Sequence, residues 1–223
     1  MADNQFKIKA PCLLLCEGRD ESRFLIEYLQ YLLSEVDFRY NNIQVENFGG
    51  INELSSKLKI LGNMEGFDLI KKIAVIRDAE TDWTGALSSI DSSITASQIS
   101  GELFLGEHYL LPGKDDEGNW QNGTLEDLAI KILKEDHDSE VAAEVLMAKS
   151  QELLDYINQQ RVSELPRLHK NLLHMVFSGT DKFVDLKIGE AAKAGAFYWQ
   201  SDELRGLKNF LSNLSNIACQ LAG

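Results

Sequence analysis

Four short apolar runs, each followed by helical periodicity or a turn, constrain this chain more than anything else in it. Residues 12–16 read "CLLLC", 43–48 "IQVENF", 69–76 "LIKKIAVI" and 108–111 "HYLL", the last stopped by Pro112. After the first run, Phe24, Leu25, Tyr28, Leu29, Leu32 and Leu33 recur at helical spacing. After the second and its Gly49-Gly50 break, Ile51, Leu54, Leu58 and Leu61 do the same. A Ser- and Thr-rich helical stretch covers about 84–99. Strands separated by helices imply right-handed crossovers and a mostly parallel sheet. The expected fold class is therefore α/β: a Rossmann-like, mostly parallel four-stranded sheet flanked by helices.

From Thr124 onward only helical patterns remain, over 125–135, 140–160, 164–177, 185–197 and 202–218. We expect a single domain over 1–223, with a sheet core in 1–112 and a helical extension in 113–223. The polar, glycine-rich "PGKDDEGNWQNG" at 112–123 reads as an active-site loop or as the junction between the two halves. Within it Trp120 either anchors the loop or stacks on a base. Asp115, Asp116 and Glu117 read as its solvated face.

The formal charge of -13 argues against a long nucleic-acid track, which needs many Lys and Arg on phosphates. It leaves room for a local cationic groove, or for an acidic pocket offset by a metal ion. No apolar run is long enough to cross a bilayer, so no membrane is expected. The N-terminus lacks the basic flank of a signal peptide. Three cysteines argue against a disulfide framework, and Cys12 and Cys16 fall on one strand face as reduced core residues. A cytoplasmic protein is expected.

In open parallel sheets, ligands bind beyond the carboxyl ends of the strands. Glu17 lies just past the first run, Asp78 and Glu80 past the third, and residues 112–116 past the fourth. Gly18 allows a sharp turn and a close approach to the helix N-terminus, and Asp20 is placed to cap that helix. Several carboxylates at one edge stay ionised cheaply only with a cation among them, and oxygen ligands suit Mg²⁺ or Mn²⁺. The cations nearby in sequence are Arg19, Arg23, Arg77, Lys71, Lys72 and Lys114, enough for one phosphate. Glu126 and Asp127 follow Thr124 either as a capping box or as further metal-site acids. The four histidines are scattered without zinc-ligand spacing. No phosphate loop, dinucleotide fingerprint or nucleophile elbow is present.

At three places the chain resembles Toprim domains. Glu17-Gly18-Arg19-Asp20 resembles their first motif, Asp78-Ala79-Glu80 is similar to their acidic Asp-x-Asp motif, and Gly123-Thr124-Leu125-Glu126-Asp127 looks like a helix start in Toprim-like bacterial proteins. The resemblance implies a Toprim-like fold and divalent-metal chemistry on phosphodiesters, as in a nuclease or phosphodiesterase. Glu17 would be the acid/base and a metal neighbour, with Asp78 and Glu80 holding Mg²⁺ or Mn²⁺. Asp20, Glu126 and Asp127 would stand behind them or hold a further metal, and Gly18 and Arg19 would meet the phosphate. Glu80 departs from the pattern by standing where the second Asp is usual, adding a methylene of reach. A substrate of single-stranded nucleic acid or nucleotide is implied. So is a separate ATPase partner, because overcoming-lysogenization-defect nucleases pair Toprim with an ATPase. The alternative is a non-catalytic module binding a metal, a nucleotide or a partner protein.

Overall fold

The computed structural model describes residues 7–35, 38–135, 143–163 and 167–222. Four strands form one sheet: β1 (Cys12–Cys16), β2 (Ile43–Asn47), β3 (Lys72–Asp78) and β4 (Tyr109–Leu111), in the order β2-β1-β3-β4. Every pairing is parallel, with Cys16 opposite Asn47 and Ile76, and Asp78 opposite Leu111. Crossover helices α1 (Arg19–Glu35), α2 (Ile51–Leu61) and α3 (Trp83–Ser97) join them. The α-helices among the described residues after 123 are α4 (Leu125–Glu135), α5 (Ala143–Gln159), α6 (Leu168–Ser178), α7 (Ile188–Ala194) and α8 (Arg205–Ala222), and no strand follows β4 there. The α/β parallel sheet and the helical second half are thus as the periodicity predicts. The parts of the expected helices at 140–142 and 164–166 lie outside the described residues.

The sheet is buried on both faces, which is why its central strand is uninterrupted apolar sequence. Cys12, Leu14, Cys16, Ala74 and Ile76 pack into one core with α1, α4, α6, α7 and α8. Leu13, Leu15, Ile73 and Val75 pack into the other with α2 and α3. The frame of β3 differs from the expected 69–76. Phe67–Leu69 forms a 3₁₀ turn, and the strand runs on through Arg77 and Asp78, which pair with Leu110 and Leu111. No helix among the described residues is long and apolar enough to cross a membrane.

Candidate functional site

Successive side chains of a strand point to opposite faces, and this decides how the acids at the sheet edge are grouped. Glu17 and Arg77 continue the face of Leu15 and Val75. Glu17 Oε1 accepts the N–H of Ile51, the first residue of α2, at 3.3 Å. Glu17 Oε2 lies 3.3 Å from Arg77 Nε, an ion pair without directed hydrogen-bond geometry. Arg77 is buried and also donates to Ser89 Oγ on α3 at 2.5 Å and to the Asp78 carbonyl at 3.2 Å. The Glu17 carbonyl accepts the N–H groups of Gly49 and Gly50. Glu17 therefore ties β1 to β3 and to the start of α2.

Asp78 continues the face of Ile76, toward α1 and α4. Its Oδ1 accepts the N–H of Leu125, the first residue of α4, at 2.9 Å. Burial pushes its carboxyl well above the usual carboxylate range, and Glu21 and Glu126 push it further, with Glu80 adding to them. The Leu125 hydrogen bond acts the other way and does not win. Glu21 is also raised, first by burial and then by Glu126, Asp20 and Glu17. Its carboxylate folds back over Gly18, where a Cβ would stand 2.4 Å from Glu21 Oε2. Gly18 has no positive φ, so close approach explains the glycine. The acids whose charge bears most on Asp78 are thus Glu21 and Glu126.

The other expected site residues are placed as follows. Glu80 is exposed, with φ of 55°, and exchanges backbone hydrogen bonds with Gly123 at 2.8 and 2.7 Å. This bridge fixes the loop after β3 to the segment entering α4. Asp127 is the capping acid of α4: its Oδ2 accepts from Thr124 N at 2.7 Å and from Thr124 Oγ1 at 3.0 Å, and its other oxygen pairs with His169 Nδ1. Asp20 does not cap α1. Gly18 holds the cap position, accepting the N–H of Ser22 at 3.1 Å, and Asp20 lies in the first turn, where its charge suits the helix dipole. Arg19 is exposed and has no ion-pair partner among the described residues.

Most of the expected cations are committed elsewhere. Arg23 pairs with Glu190 at 3.1 Å, Lys114 with Glu107, and Lys72 donates to the Glu102 carbonyl at 2.6 Å from the start of β3, the far end of that strand. Lys114 also covers Trp120, whose ring meets Tyr109 edge-on at 5.3 Å, so Trp120 anchors its loop. The sequence reading missed Glu21 and the second-half Lys170. Lys170 Nζ stands 3.8 Å from Glu126 Oε1.

The donor set of Asp78, Glu21 and Glu126 is all carboxylate oxygen, which is the chemistry of a hard divalent cation, and the raised proton affinities of Asp78 and Glu21 are what such a charge would relieve. In spacing the set is open: among the described residues, no three His, Cys, Asp or Glu side chains stand as a group that could hold a metal ion. A family model matches residues 11–216, taking in all four strands and every acid named above. No curated protein and no solved structure matches the chain.

Proposed function

The chain belongs to the family described as a protein of unknown function (DUF3226), and from the chemistry of its site we propose that it is a divalent-cation-dependent phosphoryl-transfer protein, acting as a nuclease or phosphodiesterase. One observation carries the reading: Asp78 is pushed well above the usual carboxylate range by burial and by Glu21 and Glu126, at the carboxyl edge of a parallel sheet. A buried carboxylate whose proton affinity is raised by burial and by neighbouring acids at such an edge marks a candidate functional place.

The residues take these parts. Asp78, held by the Leu125 N–H, is the fixed acid, and Glu126 flanks it from the first turn of α4. Glu21 is the proton carrier, because its raised affinity brings it toward the operating pH. Glu17, given that role by the Toprim resemblance, is instead tied to Arg77 and supports the fold of the edge. When bound at these acids, Mg²⁺ or Mn²⁺ would supply the charge that polarises a phosphoryl oxygen and lowers the pKa of water.

The second reading, a non-catalytic binding module, is favoured by that same Glu17–Arg77 pair, which leaves the expected acid/base already neutralised. Hydrolysis of single-stranded DNA, RNA and nucleotides with Mg²⁺ or Mn²⁺ separates the two. Turnover that needs the cation and is lost in Asp78→Asn is the expected result. No turnover, with a melting temperature raised by cation or nucleotide, moves the protein to the binding module. Absence of turnover together with absence of any shift with cation or nucleotide refutes both.

A further inference from the structure

A cavity of about 700 Å³ lies beyond the end of β4, between the loop 112–120 and the first turns of α8. That is the size of a small-molecule site. None of Asp78, Glu21 and Glu126 lines it. Tyr109, the first residue of β4, forms part of its wall and is only 5% exposed. The Tyr109 ring packs against Trp120 at 5.3 Å and Phe210 at 5.2 Å, while its hydroxyl makes no hydrogen bond among the described residues. A Cβ at Gly113 would stand 2.9 Å from that hydroxyl oxygen, and one at Gly206 3.1 Å. Both glycines line the cavity, so the hydroxyl meets it between two positions that carry no side chain. A buried phenol O–H ordinarily has a partner. Here the cavity stands where that partner would be.

Charge decides the guest. Five carboxylates line the cavity, Glu107, Asp115, Asp116, Asp202 and Glu203, against the two cations Lys114 and Arg205. Both cations are already paired, Lys114 with Glu107 and Arg205 with Asp202, and Lys131 stands 3.6 Å from Glu203. Asp115 Oδ1 accepts the N–H groups of Glu117 and Asn119 at 3.0 and 2.8 Å. Neither Asp115 nor Asp116 makes an ion pair among the described residues. Burial first, then the charges of Glu107 and Glu203, raise the Tyr109 phenol above its ordinary range, so it meets a guest uncharged. An anion is repelled by such a lining, and two unpaired carboxylates match a guest with two positive charges. The acids come from three separate segments with aromatic surface between them. Among the described residues no three of them stand as a group that could hold a metal ion, so the guest's charge must be spread along an apolar stem. Lys114 shows that chemistry within the chain, with its ammonium on Glu107 and 4.6 Å over the Trp120 ring. We propose that this cavity binds an aliphatic diamine or polyamine, with ammonium groups at Asp115 and Asp116, methylenes against the aromatic wall and an N–H on the Tyr109 oxygen. The site is independent of the phosphoryl-transfer reading.

The test is isothermal titration calorimetry on the full chain at about 0.15 M salt, where exposed charges more than about 8 Å apart are largely screened. The probes are spermidine, 1,4-diaminobutane, butylamine and the uncharged 1,4-butanediol. Spermidine and the diamine should saturate a single site, about tenfold or more tighter than butylamine, and the diol should give no binding. Tyr109→Phe removes the hydroxyl and keeps the packed ring. The double variant Asp115→Asn, Asp116→Asn removes two charges and keeps an oxygen for the Glu117 and Asn119 N–H groups. Each should weaken spermidine about tenfold, the loss expected of a hydrogen bond to a charged group. The double variant Glu53→Gln, Asp68→Asn removes the same charge from exposed positions that do not line the cavity and should leave the affinity unchanged. The loop variant alters side chains that are half-buried or exposed, so it tests the site even if Tyr109→Phe unfolds. No saturable binding of spermidine, or butylamine binding as tightly as the diamine, overturns the proposal. So does a loss equal in the two double variants, which marks diffuse attraction to a chain of charge -13, or unchanged affinity in a folded Tyr109→Phe.

Discussion

Replacing Glu17 by Gln separates a structural acid from a catalytic one. At 3.3 Å the gross attraction between Glu17 and Arg77 is roughly 5 kcal/mol at an effective dielectric constant of about 20. Desolvation offsets part of this, since the Glu17 and Arg77 side chains are only 23% and 9% exposed. Glutamine keeps an oxygen for the Ile51 N–H but leaves the guanidinium without its carboxylate. Arg77 retains Ser89 Oγ and the Asp78 carbonyl, so the loss should fall below the ~3–5 kcal/mol typical of a broken buried pair, at about 2–3 kcal/mol. In a chain of this size each kcal/mol moves the melting temperature by about 2–4 °C, giving a fall of roughly 5–10 °C. Arg77→Met alone should cost at least as much, because it strands a carboxylate. The double variant should recover part of the loss, with a coupling energy above about 1 kcal/mol. Urea unfolding of the four proteins measures the cycle. A Glu17→Gln cost below about 0.5 kcal/mol, or single costs that simply add, would refute the structural role.

Asp78 and Gly18 give two further expectations. Because Asp78 binds its proton more tightly in the folded protein than in the unfolded chain, its contribution to stability is full below the ordinary aspartate range and is lost as pH rises through its elevated range. Asp78→Asn should therefore flatten the pH dependence of the urea midpoint and raise the metal-free midpoint at neutral pH; an unchanged profile would count against the buried repulsion. Gly18→Ala puts a Cβ 2.4 Å from Glu21 Oε2, so the side chain must swing aside at a cost of about 0.5–1.5 kcal/mol. Stability should fall by no more than that, while any Mn²⁺-induced rise in melting temperature shrinks; an unaltered Mn²⁺ response would remove Glu21 from the site.

The β-then-α rhythm made the parallel sheet legible, since "CLLLC" and the helical stripe beginning at Phe24 each carry an unambiguous period. The acids were legible as an edge and not as a group. Their grouping depends on strand phase, and the apolar run at 69–76 hides it: Leu69 and Ile70 precede the strand, while the charged Arg77 and Asp78 still belong to it. Two residues of phase do not change which face a side chain takes, but the pleat itself sends Glu17 and Asp78 apart. Glu21 had a signal that went unread. It stands three residues before Phe24 and four before Leu25, on the buried stripe of α1, where an acid needs a reason. Lys170 had none, because contacts between distant helices leave no local period.

The central position of β1 also sets the order in which the protein can be made. Its Cys12 pairs with Ile43 on one side and with Lys72 on the other, so the first strand of this sheet to be synthesised has no hydrogen-bonded neighbour within the sheet until a whole crossover has followed it. Glu21, Asp78 and Glu126 sit on three such widely separated segments. Loop closure must be met before these contacts reward it. During synthesis the apolar β1 is exposed long before its partners exist, and the acidic edge is assembled only after α4 has emerged.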